Sequence, residues 1–197
     1  TEFFLYTAND RKALDDCRAL GHKFPEVTSW IRADKGDFRL VKEAEVKETG
    51  MLTPSSDYHI FYKLKKDRRK AFDDYIEVID AAWEAGIRPR VHLEDVTRAD
   101  FDGFVMPYVS ELKRRSEQVP ADMHVKIRLC DTMGFGVSTP GVKLPRSIPK
   151  MIHRMTHDIG IPSDCLEWHG HNDFHKVHIN GATAWLYGCN AVNTTLF

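Results

Sequence analysis

A chain of 197 residues, 42% hydrophobic and 29% charged, carries enough apolar mass for one sizeable core and reads as a single domain over 1–197. Its net charge of −1 supplies no electrostatic pull toward nucleic acid or a membrane surface, and no apolar run approaches the ~18 residues of a membrane span. The opening TEFFLYTANDRK lacks the basic start and cleavage site of a signal peptide, and Cys17, Cys130, Cys165 and Cys189 form no CxxC pair, so reduced, buried thiols in a cytoplasmic protein are expected.

The predicted elements alternate. EFFLYT, Glu2 to Thr7, reads as a strand. A helix follows, capped by Asn9 or Asp10 and stopped at Gly21. PEVTSWIRA is a strand, Lys35 to Ala44 a short helix, VKETGMLT a strand and PSSDYH a polar loop. Asp67 to Ala85 has apolar residues at 72, 75, 76, 79 and 83 and a stop at Gly86, a helix pattern. RPRVHLE is a strand and Phe101 to Gln118 a helix. HVKIRLCDT is a strand and Ile148 to Ile159 a helix. CLEWHGH is a strand, Phe174 to Tyr187 a helix, and AVNTTLF a last strand.

Repeated strand–helix units imply a parallel sheet, and side-chain parity selects its form. Val91 and Leu93 share one face of their strand, and Arg90, His92 and Glu94 the other. The next strand sets Val125, Ile127 and Leu129 against Lys126, Arg128, Cys130 and Thr132; the one after sets Leu166 and Trp168 against Glu167, His169 and His171. A doubly wound sheet needs two apolar faces. One apolar and one polar face predicts a TIM (β/α)8 barrel with a polar interior. About seven strands can be placed, so the barrel is expected to be incomplete, without its first strand and last helix.

Four histidines crowd into LEWHGHNDFHKVH. His169 and His171 stand two apart on one strand, so both rings point the same way with Cα atoms about 6–7 Å apart, within reach of one metal ion. A pair of core histidines bonded to neighbours is the plain alternative. His175 and His178 are expected on the following helix as solvated or capping residues, with Asn172 and Asp173 capping that helix. Glu94 has inward parity at its strand end and suits a general base or its anchor. Asp95 and Arg98 read as a local ion pair. Thr132 also points inward, placed to hold a substrate carboxylate. Gly134 and Gly136 form a tight turn and no dinucleotide fingerprint. His59, in SSDYHIFYKLKK, is a candidate substrate contact. The lysines there read as a solvated face that an anionic CoA tail could use.

KIRLCDTMGFG, HLEDVTRAD and EWHGHNDFHKVHINGATAWLYGCNAVNTTLF resemble the DRE-TIM metallolyase superfamily, and within it the 2-isopropylmalate, homocitrate and Re-type citrate synthases, whose barrels are HMGL-like. The resemblance runs from the second barrel strand to the eighth. It implies an acyltransferase that condenses acetyl-CoA with a 2-oxo acid, in the manner of 2-isopropylmalate synthase, at a divalent metal (Zn, Mn or Mg), as a homodimer. It assigns metal binding to His169 and His171, catalysis to Glu94 and His59, and substrate binding to Thr132 and His92. His92 stands where many synthases carry a serine that touches the oxo acid. The metal's aspartate, in an arginine–aspartate motif on the first strand, has no counterpart here, and a GERTGN-like segment is absent. A carbon–carbon lyase or aldolase of the same superfamily, or a fragment acting only as a binding module, stays open at this point.

Overall fold

Seven strands carry the alternating pattern into one sheet. In this computed structural model, which describes residues 1–193, they are β1 (Glu2–Phe4), β2 (Thr28–Arg32), β3 (Glu48–Pro54), β4 (Arg88–Glu94), β5 (Lys126–Asp131), β6 (Leu166–Gly170) and β7 (Ala191–Val192). All neighbours are parallel and the order is sequential, β1 to β7. Helices α1 (Ala8–Ala19), α2 (Phe38–Glu43), α3 (Arg68–Glu84), α4 (Met106–Ser116), α5 (Ile148–His153) and α6 (Val177–Tyr187) connect them. This is an incomplete TIM barrel, as the parity predicts. The expected last strand is described only at Ala191–Val192; residues 194–197 lie outside the described region.

The core sits between sheet and helices. Val91 pairs in register with Ile127 and Leu93 with Leu129; Ile127 and Leu129 then align with Leu166 and Trp168. All six are fully buried. Burying a large apolar side chain stabilises a fold by about 1.5–3 kcal/mol, so this belt holds the helices onto the strands. Opposite it, α3 packs Ala71, Tyr75, Ile76, Val78, Ile79 and Ala82. The Asp67 carboxylate caps that helix by accepting from Lys70 N–H at 2.7 Å, and Gly86 ends it at φ 71°.

Several boundaries differ from the sequence expectation. β1 ends at Phe4, because Thr7 is drawn into a capping box with Asp10 and starts α1. The loop after β3 holds a π-helical turn, Tyr58–Lys63, around the buried Ile60. α6 begins at Val177 rather than Phe174; His175 lies in the preceding turn at φ 56°. Asn172 does accept from the first-turn N–H of Val177 at 3.3 Å, whereas no such bond of Asp173 is found among the described residues.

The polar face turns inward and divides into two levels. At the lower level Glu2, Glu48, Arg90, Arg128 and Glu167 form a nearly dry ion network. Arg128 donates to Glu167 at 2.8 Å and to Glu2 at 2.6 Å, Arg90 donates to Glu2 at 3.1 Å and to Glu48, and Lys126 reaches Glu48 at 2.8 Å. The upper level is the barrel mouth.

Candidate active site

His169 and His171 reach the mouth from the end of β6. Their Nε2 atoms converge to 3.2 Å with the rings inclined at 70°. The backbone N–H of His171 donates to Asp131 O on the neighbouring strand, which anchors the residue beyond the strand end. Two nitrogens each about 2.1 Å from one divalent ion stand about 3.0–3.4 Å apart, so the observed spacing fits a shared metal. Burial, the neighbouring His171 and Arg128 push the His169 imidazole below its ordinary value, which favours the neutral, ligating form. Among the described residues no group of three or more His, Cys, Asp or Glu side chains comes together around an ion. Two imidazoles do not by themselves complete a metal site, and further oxygen donors would be needed.

Glu94 closes β4. Its carboxylate accepts from Lys63 Nζ through both oxygens, at 2.9 and 3.0 Å, and His59 Nδ1 stands 3.4 Å away. Both groups come from the π-helical turn Tyr58–Lys63, on which positions 59 and 63 lie about one turn apart and so on the same side, over the strand end. Lys63 thus bonds the site while its side chain stays about half exposed to solvent. Thr132 accepts from Asp95 N–H at 2.8 Å, and its own hydroxyl proton stays available to an acceptor in the cavity. Asp95 and Arg98 form the expected ion pair, with Ser56 completing it.

One cavity of about 370 Å³ gathers these groups. Glu2, Trp30, His92, Glu94, Arg128, Cys130, Thr132, His169 and His171 all line it. His59 stands behind Glu94. His175 and His178 do not join; His178 lines a larger cavity of about 1180 Å³ beside α6, whose wall includes His169, His171 and Trp185. Cys130 faces the smaller cavity, but burial pushes its thiol up to about 12, so it is no nucleophile at neutral pH.

Sequence reasoning missed Glu2, Lys63 and Trp30. Parity had placed Arg128 inward without giving it a part. Glu2 had the signal, as a carboxylate alternating with apolar residues on a strand. Lys63 had none, because its reach depends on a π-turn that no periodicity announces. The loop after β5 is held by Asp131, which accepts from Phe135 and Gly136 N–H at 2.8 and 2.9 Å and from the Thr97 hydroxyl at 2.7 Å. Gly134, at φ 66°, allows that turn.

Residues 6–197 match the HMGL-like family. The chain is 55% identical over 195 residues to a citrate (Re)-synthase from Clostridium kluyveri, covering 99% of this chain and 43% of that protein. It is 53% identical to a citrate (Re)-synthase from Syntrophus aciditrophicus, covering 100% and 31%, and 41% identical to a 2-phosphinomethylmalate synthase from Streptomyces hygroscopicus, covering 98% and 44%. Among solved structures, hydroxymethylglutaryl-CoA lyase from Pseudomonas aeruginosa superposes with a TM-score of 0.70 at 18% identity, over 95% of this chain and 58% of that one, a likeness of fold. The chain thus spans less than half the length of these curated relatives. Among the described residues no helix is long and apolar enough to cross a membrane. Barrel, mouth and sequence likeness agree: the chain belongs to the HMGL-like family.

Proposed function

We propose that this chain forms the metal-binding half of an acyltransferase that condenses acetyl-CoA with a 2-oxo acid and then hydrolyses the thioester. The observation that carries the reading is the convergence of His169 and His171 Nε2 atoms to 3.2 Å in the cavity that also holds Glu94 and Thr132. The identities of 41–55% to condensing synthases favour it over the lyase reading, since the likeness to lyases is one of fold alone.

His169 and His171 would hold a divalent metal; imidazole with oxygen ligands suits Zn or Mn, and Mg less typically. When bound, that ion supplies Lewis-acid polarisation of the oxo acid's carbonyl. Thr132 donates its free hydroxyl proton to the oxo acid's carboxylate and so sets its orientation. Glu94, held by Lys63 with His59 adjacent, receives the proton removed from the acetyl methyl. The carbanion equivalent attacks the carbonyl carbon, and water cleaves the thioester to release the thiol of CoA. The resemblance also carries a homodimer into the proposal.

The test is thiol release from acetyl-CoA in the presence of pyruvate, oxaloacetate, 2-oxoisovalerate or 2-oxoglutarate. Release that depends on one of these acids is expected. Retro-cleavage alone, without condensation, would convert the assignment to a lyase.

A further inference from the structure

The helix layer carries a separate pair of close imidazoles. α5 runs on into a π-helical turn, Arg154–Ile159, and this segment turns Met151, Ile152 and Met155 to the core. His153 and His157 stand exposed on its solvent side, about one turn apart, and line neither cavity of the barrel mouth. Their rings stack, with centroids 4.2 Å apart and planes inclined by 21°.

The bonds behind His157 set its tautomer. Its Nδ1 lies 3.3 Å from the backbone carbonyl of His153, which can only accept, so Nδ1 carries a proton and donates it. The same Nδ1 lies 2.9 Å from Thr156 Oγ1, whose own proton goes to Ile152 O at 2.9 Å, so the hydroxyl accepts from the ring too. In the neutral ring Nε2 then keeps its lone pair. Metal-ligating histidines are held in this way, with one ring N–H bonded to the protein and the other nitrogen left for the ion. Arg154, between the two histidines in sequence, is ion-paired with Asp102 at 2.9 Å and with Asp158, so its charge does not stand unopposed beside a cation.

We propose that His153 and His157 form a metal site on the outer wall of the barrel, separate from the mouth, which takes one divalent transition-metal ion such as Zn²⁺ or Cu²⁺. Two histidines at i and i+4 on one helical face can share a single ion. Their nitrogens would then stand about 3.0–3.4 Å apart, so rings with centroids at 4.2 Å need only incline toward each other. Among the described residues no third His, Cys, Asp or Glu gathers there. Both rings face solvent, and water completes the coordination. A pair of imidazoles selects the ion class: Cu²⁺ should bind more tightly than Zn²⁺, and Mg²⁺, which prefers oxygen, should not compete. The site stands apart from the condensation reading and does not depend on it.

The experiment titrates the full-length protein with Zn²⁺ and with Cu²⁺ in a calorimeter. The parent should show a binding component that survives replacement of the mouth pair by His169→Ala and His171→Ala. In that background His153→Gln and His157→Gln should each weaken the remaining component by at least about 10-fold, the loss that even an outer-sphere partner causes. Thr156→Val, which removes the hydroxyl behind His157, should weaken it less. If the mouth variants do not fold, the double variant His153→Gln/His157→Gln of the parent carries the test, and it should bind one ion fewer per chain. Circular dichroism checks that the fold is kept, as expected for two exposed positions. Zn²⁺ and Cu²⁺ binding that is unchanged by both glutamine substitutions, or that vanishes once the mouth pair is replaced in a folded protein, overturns the proposal. So does displacement of the bound Zn²⁺ by an equal concentration of Mg²⁺.

Discussion

The floor and the mouth of the barrel are built from the same residue types and behave oppositely. On the floor, Glu48 and Arg90 are almost wholly buried, and each charge there is neutralised by another. In the mouth, Glu94 and His59 are partly open, Lys63 is about half exposed, and among the described residues no cationic or anionic partner occupies the Nε2 atoms of His169 and His171. Saturated charges hold a shape; unsaturated ones are left for a ligand. The same backbone parity serves both, and depth along the strand separates them.

Substitutions should expose that contrast, and the largest effect is expected on the floor. Arg90→Met takes one buried donor from Glu2, which keeps Arg128, and one from Glu48, which keeps Lys126, and removing one member of a buried pair typically costs about 3–5 kcal/mol. Urea unfolding should show that loss, against a change within about 1 kcal/mol for Glu94→Gln in the mouth. Comparable losses at the two sites would erase the distinction.

Function should respond in the opposite sense. Glu94→Gln is expected to lower turnover about 100-fold or more while metal content stays constant, the usual range for a lost general base. Turnover equal to the parent removes Glu94 from the chemistry. His169→Ala and His171→Ala should each weaken metal affinity by at least the 10–100-fold typical of even outer-sphere partners, read by metal analysis after dialysis. Full metal content in both variants would end their assignment as ligands.

Smaller effects sharpen the boundary between the levels. Lys63→Met should change stability by no more than about 1 kcal/mol, because its side chain is 47% exposed. Its effect should appear instead in the kinetics, as a fall in kcat that Lys63→Arg partly restores. Cys130 gives the pH test. Its folded thiol titrates at about 12, above the ordinary 9.0, so the native state holds the proton more tightly. Its contribution is complete below pH 9 and is lost as pH rises from 9 toward 12. Alkylation at pH 8 should modify the half-exposed Cys17 and spare Cys130 until the protein unfolds.

Much of this was legible before any coordinates. The alternation of Val91 and Leu93 with Arg90, His92 and Glu94 specifies one apolar and one polar face, and the two-residue spacing of His169 and His171 predicts a shared side, which the structure keeps although His171 stands one residue past the end of β6. The segment before α6 was not legible: Asn172 holds a turn that helix periodicity overran, and α6 starts at Val177. Nor was Thr7, whose side chain competes for the helix N-terminus and cuts β1 short.

By itself the sequence determined the parallel strand–helix order, the inward set of polar residues and the shared direction of the two imidazoles, because each follows from periodicity within one element. Only the tertiary structure decided that Arg128 and His92 stand side by side, that Lys63 bonds Glu94, and that Glu2 closes the floor. Those relations depend on the register between strands and on the π-helical turn Tyr58–Lys63, and contacts between positions as far apart as Glu2 and Arg128 exist only once the sheet has curved.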